Sequence, residues 1–165
     1  MVPQLPQRPS TAALSSASQR VLQSRQVALP HEMFISLIAL ADAQLAHANY
    51  NNAEASLEEA LRWSQVMGGH DAEVDTLCRL AETAACSAEA DERKARGSGS
   101  AARRRARAHA QQISAQAAHV ADPAWEIKVL LRASDVLDRC GNRLEAVELQ
   151  IRAVELMAAE MAALR

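Results

Sequence analysis

"AHANYNNAEASLEEALRWSQVMGGHDAEV", residues Ala46 to Val74, sets a lone tyrosine among asparagines and follows it with small residues at fixed steps. Alanine is the best helix former, whereas asparagine prefers turns and caps, so "NYNN" reads as a break between two helices. Upstream, Phe34, Leu37, Ile38, Ala41, Leu45 and Ala48 recur at helical spacing from His31 onward. Downstream, Ala53, Leu57, Ala60, Leu61 and Val66 keep that spacing up to Gly68-Gly69, a strong stop. The stretch predicts two closely packed helices, a repeat unit and not an active site.

Composition supports an all-α protein. The chain has 165 residues, 49% of them hydrophobic, yet its aromatics are limited to Phe34, Tyr50, Trp63 and Trp125. Alanine supplies much of the apolar content, which lets helix backbones approach closely, and strands are not expected. A formal net charge of -2 gives no global reason to expect nucleic acid or an anionic membrane as partner. Cys78, Cys86 and Cys140 show no CxxC spacing and read as buried thiols in a reducing cytosol. No apolar run approaches the roughly 20 residues of a membrane span. "MVPQLPQRPSTAAL" lacks the apolar core of a signal peptide, so a cytoplasmic location is expected.

Residues 1–30 carry Pro3, Pro6, Pro9 and Pro30 with scattered Ser and Gln, a composition of largely disordered chain. Within it, "TAALSSASQRVLQSRQVAL" has the apolar spacing of a short helix. Beyond Gly69, Asp71 is expected to cap a third helix through Val74, Leu77, Leu80, Ala81 and Ala84. Around 91–105, "DERKARGSGSAARRRAR" reads as a flexible Gly-Ser and Arg-rich insertion. A helix follows to about Val120, then another opened by Asp122-Pro123, with Asp as cap and Pro in the first turn. Leu130, Ala133, Val136 and Leu137 face its core. "CGN" ends it at Cys140 to Asn142, and the last helix follows, giving six helices in three antiparallel pairs.

Sliding the sequence by forty positions sets "SLIALADAQLA" on "TLCRLAETAAC", aligning Leu37 with Leu77, Leu40 with Leu80, Ala41 with Ala81 and Asp42 with Glu82. A further 53 positions align Leu77 with Leu130, Arg79 with Arg132 and Glu82 with Asp135, the extra length falling in the insertion. A period near forty marks stacked helix pairs, none of which buries its own face alone. Through Leu37, Leu40, Ala41, Tyr50, Ala53, Leu57, Ala60 and Leu61, and again through Leu130, Ala133, Ser134, Leu137, Gly141, Ala146, Ala153 and Val154, the chain resembles the tetratricopeptide repeat family over about Glu32 to Leu164. The spacing is similar to that of the longer repeats of bacterial regulatory and signalling proteins. The resemblance implies a right-handed superhelical stack over residues 31–165. Tyr50 would wedge between the helices of its pair, and Leu37, Leu40, Ala41, Ala53, Ala60, Leu130, Gly141, Ala146 and Ala153 would serve repeat packing. The middle repeat departs, with no tyrosine or glycine at its turn.

His70-Asp71, with His31, His47 and Asp135, has the residue types of a divalent-metal site. The predicted turn and solenoid would keep those ligands apart. Arg104 and His109 match the Arg-x4-His spacing of certain helical ribonucleases, but in an arginine-rich run where such spacing is common by chance. That run, "RKARGSGSAARRRARAH", could also meet phosphate. It has no interleaved aromatic for stacking, so nucleic acid is not the expected partner.

The resemblance therefore implies a non-enzymatic protein-interaction module or scaffold without cofactor or metal. A partner protein or peptide segment would dock in a concave groove lined by the first helix of each pair. Ile38, Asp42, Leu45, Glu82, Leu131 and Asp135 are its expected contacts, the three acids forming a row. Because Arg79 and Arg132 each precede an acid of the row by three residues, the row also reads as local ion pairs. A type III secretion-type chaperone and a helical metal-dependent hydrolase or nuclease are the alternatives. "MAAEMAAL" would cap the open end or make a homodimer through the C-terminal helix.

Overall fold

The computed structural model describes residues 11–27, 29–93, 99–120 and 122–163. Among these there are seven helices: α1 (Thr11–Val27), α2 (Pro30–Ala46), α3 (Tyr50–Met67), α4 (His70–Arg93), α5 (Ser100–Ala117), α6 (Pro123–Arg139) and α7 (Arg143–Ala163). The protein is an all-α helical stack. α2 packs on α3, α4 on α5 and α6 on α7, and each pair is joined to the next through α3 against α4 and α5 against α6. α4 also touches α6 directly, so the first helices of the last two pairs share a face.

Alanine makes the interfaces. Ala41, Ala53, Ala60, Ala81, Ala106, Ala110, Ala133 and Ala153 are completely buried, and a methyl group is the smallest spacer that still excludes water. Larger side chains fill the space between. Leu77, Ile113, Leu130 and Leu137 belong to one core running from α4 to α7, and Met33 and Leu37 belong to a smaller one toward α1. Small hydroxyls also allow close approach. Ser24 and Ser36 hydrogen-bond at 2.8 Å between α1 and α2, and Ser134 donates to the carbonyl of Ala146 at 3.0 Å between α6 and α7.

The structure departs from the sequence reading at several points. Thr11–Val27 is a helix, packed on α2 through Val21, as the apolar spacing of "TAALSSASQRVLQSRQVAL" suggests, within a segment otherwise expected to be largely disordered; residues 1–10 lie outside the described residues. Asp71 sits in the first turn of α4 and not at its cap, where a carboxylate still favours the helix N-terminus. Asp122 is the cap of α6, its carboxylate accepting from the amide of Ala124 at 3.0 Å. Tyr50 is the first residue of α3 and is half-buried. Leu40 is likewise half-buried, and Val154 is exposed.

The largest difference concerns 91–105. α4 continues to Arg93 and α5 begins at Ser100, so both flanks of the expected insertion are helical; residues 94–98 lie outside the described residues. Gly99 precedes α5 with φ +59, and a Cβ there would stand 2.7 Å from the carbonyl oxygen of Ala88 and 3.1 Å from its Cα. Glycine is required on two counts, the left-handed backbone and the contact with α4. Gly141, with φ +83, ends α6 in open space, so only its backbone is constrained. Gly99→Ala should therefore lower stability by about 3 kcal/mol and Gly141→Ala by about 1 kcal/mol in urea denaturation. Equal losses would mean that the approach of Gly99 to α4 is unimportant.

Candidate functional site

The face shared by α2, α4 and α6 carries an ion-pair ladder. Arg79 on α4 donates to Asp42 on α2 at 2.8 Å and to Asp75 one turn earlier on α4 at 2.9 Å. Arg132 on α6 donates to the same Asp75 at 2.7 Å and to Glu82 at 2.6 Å. Its second nitrogen reaches the other Glu82 oxygen at 3.0 Å, a bidentate contact of the kind a planar guanidinium makes. Arg139, two turns further along α6, donates to Glu89 at 2.8 Å and to the Sγ of Cys86 at 3.2 Å, and lies 3.6 Å from Asp135. The ladder holds five carboxylates against three guanidiniums.

These contacts set the electrostatics. Burial disfavours the charged carboxylate of Asp75, but the hydrogen bonds and charges of Arg132 and Arg79 outweigh it and hold its pKa below the ordinary 3.8. Burial likewise works against charge on Arg132, and Glu82 and Asp75 overcome it, so its pKa lies above the usual arginine value. Burial pushes the thiol of Cys78 up to about 12, which leaves it protonated and inert at neutral pH.

Two cavities of about 470 Å³ each flank Arg132. The first is bounded by Asp42, Leu45, Tyr50, Arg79, Thr83 and Cys86, the second by Ala124, Ile127, Lys128, Leu131 and Asp135, and Glu82 and Arg132 belong to both. Thr83 is 1% exposed and its hydroxyl has no hydrogen-bond partner among the described residues. A buried hydroxyl without a partner costs free energy, and this one belongs to the wall of the first cavity.

Five of the six expected groove residues, Asp42, Leu45, Glu82, Leu131 and Asp135, line these cavities, whereas Ile38 packs against the cores beneath α2. The acidic row is therefore not free: Asp42 and Glu82 are bound across helices by Arg79 and Arg132, not by local pairs on one helix. Sequence reasoning missed Asp75, Thr83 and Cys86. A signal for the pairing was present, since Arg79 and Arg132 occupy equivalent places in the repeat and each reaches the acid of the preceding unit.

The other constellations come apart. His70 Nε2 lies 3.3 Å from the carbonyl oxygen of Gln116, and its ring meets that of His119 edge-on at 6.3 Å. Among the described residues no group of His, Cys, Asp and Glu is arranged to hold a metal ion. Arg104 is exposed and His109 contacts Gln112 at 3.4 Å. Their neighbours are inter-helix staples: Arg103 pairs with Glu92, Arg105 with Glu54 at 3.0 Å, and Arg107 with Glu145.

No protein-family model matches the chain, and no curated protein matches it. Among solved structures it is similar to the crystal structure of BtubC (BKLC) from P. vanneervenii, with 14% identity over 91% of each chain and a TM-score of 0.32, a level that carries nothing about fold or function to this protein.

The ladder makes a pH prediction. A carboxylate whose pKa is depressed on folding adds stability above its unfolded pKa and loses it as pH falls through the folded one. Asp75→Asn should cost about 1–2 kcal/mol at pH 7, the scale of partly exposed charge-assisted bonds. The gap from the parent should close as pH drops below 3.8 and through the lower folded pKa of Asp75. A gap independent of pH in denaturation from pH 7 to pH 2 would assign the loss to packing.

Proposed function

We propose that the protein is an interaction module of the tetratricopeptide-repeat type whose α2, α4 and α6 face receives a segment of a partner protein. The repeat match between α2, α4 and α6 supports this reading, and so does its similarity to the longer repeats of regulatory and signalling proteins. The observation that carries it is the pair of adjacent cavities sharing Glu82 and Arg132, one of them with the unpartnered Thr83 hydroxyl in its wall.

The lining chemistry defines the segment. The first cavity joins Asp42 and Glu82, the hydroxyl of Thr83 and the ring of Tyr50, and the ladder around it carries excess negative charge. This environment suits the head of a lysine or arginine, with the tyrosine along its stem. The second cavity offers Ile127 and Leu131 beside the stem of Lys128 and suits an apolar side chain. The partner segment thus presents a basic residue close to an apolar one. Charge steers the encounter, and apolar contact retains the complex.

Selection from a random peptide library displayed on phage tests this directly. Enriched peptides should carry Lys or Arg near an apolar residue, and Leu131→Glu, an exposed substitution, should abolish their binding. Thr83→Val should raise stability by about 1 kcal/mol by removing an unsatisfied buried hydroxyl, while weakening the same peptides about fivefold. Enrichment of acidic peptides, or binding indifferent to both substitutions, would overturn the groove.

A further inference from the structure

α7 has two apolar sides. Ala146, Leu149 and Ala153 are buried against the core, with Leu156 and Met157 beside them. On the other side Leu144, Val147, Ile151, Val154, Ala158 and Met161 are exposed, the large ones between 49% and 84%. Their spacing alternates three and four over 18 residues, which is the a/d pattern of a coiled-coil seam. α7 thus carries one apolar side more than its packing in the stack uses, and among the described helices none covers this seam.

We infer that the seam of α7 pairs in parallel with α7 of a second copy of this chain, forming a homodimer. The flanking charges select that occupant and that direction. With Leu144, Ile151 and Ala158 at a, the g positions are Arg143 and Gln150 and the e positions are Glu148 and Glu155. In a parallel pair each g residue faces the e residue five places on in the other chain. Arg143 then meets Glu148 of the second copy, and Gln150 meets its Glu155, on both sides of the two-fold axis. An antiparallel pair that matched Ile151 with Val154 of the second copy would set Glu148 against its Glu155, placing like charges together. Arg143 is available for the contact, since its side chain is almost fully exposed and its nearest carboxylate, on Asp138, is 3.8 Å away. The inference is independent of the groove, because no seam residue on the α7 side lines either cavity flanking Arg132.

Sedimentation equilibrium of the full chain between about 5 and 500 µM should show a reversible monomer–dimer equilibrium, since association depends on chain concentration. Ile151→Glu should be monomeric throughout with an unchanged helical circular dichroism spectrum. Arg143→Glu and Glu148→Arg should each weaken the dimer about tenfold, as both symmetric contacts become repulsive. The two single variants mixed together should associate as tightly as the parent, because every contact is again between opposite charges. A chain monomeric at every concentration would overturn the inference, and tighter association by Glu148→Arg would overturn the parallel pairing.

Discussion

Close contact between alanine-lined helices is the constraint on which this structure depends. Methyl groups let the backbones of α4, α5 and α6 approach, but they interdigitate poorly, and a smooth interface specifies neither register nor rotation. Cores fix a unique arrangement through the shape of large side chains, and here large side chains are few. The chain supplies register by another means, with arginines on one helix grasping carboxylates on another. Arg105 to Glu54, Arg107 to Glu145, Arg132 to Glu82, Arg139 to Glu89 and Arg152 to Glu126 all join different helices. Partly exposed pairs contribute little stability each, but a bidentate guanidinium tolerates little sliding. The alanines set the distance between helices and the arginines set their alignment.

This division explains which parts of the fold were legible in the sequence. Apolar periodicity marks α3 and α6 because Leu57 and Leu130 lie on faces whose opposite sides are largely polar. It fails at the junction of α4 and α5, where charge density in "DERKAR" and "AARRRAR" imitates solvent-exposed loop. Several of the described charges pair across helices, Arg103 with Glu92, Arg105 with Glu54 and Arg107 with Glu145, and charge density alone does not show which charges will pair. Gly99 misleads in the same way, since a glycine required by close approach to Ala88 and one in a flexible linker are identical in sequence. α1 was legible from its apolar spacing although prolines flank it, and Val21 anchors it to Met33 and Leu37.

The candidate site was half legible for a related reason. Self-alignment put Asp42, Glu82 and Asp135 in register, and the structure places all three on the walls of the two cavities. It could not show that Arg79 and Arg132 sit three residues before the next equivalent acid because they reach back to the previous one. Among the described residues Asp135 meets no such arginine from a following unit; it is 68% exposed and pairs with Arg139 on its own helix. The unsatisfied hydroxyl of Thr83 carries no sequence signature at all. It becomes visible only when its surroundings are known, because threonine within a helix ordinarily bonds to its own backbone, as Thr76 does to the carbonyl of Ala72 at 2.7 Å.

One consequence of the ladder bears on how a groove here would work. Arg132 lines both cavities and also aligns α6 against α4 through Asp75 and Glu82, so the cavity walls and the helix register share one side chain. A cationic group entering the first cavity competes with Arg79 and Arg132 for Asp42 and Glu82. Each carboxylate has about four lone-pair sites on its two oxygens, so a well-placed ammonium adds a contact even at Glu82, where Arg132 already engages both oxygens, without dismantling the ladder. A bulkier or misplaced cation must break a staple that holds helices with smooth, alanine-lined surfaces. Such a groove would therefore discriminate among basic partners by the cost of disturbing helix register as well as by the contacts it makes.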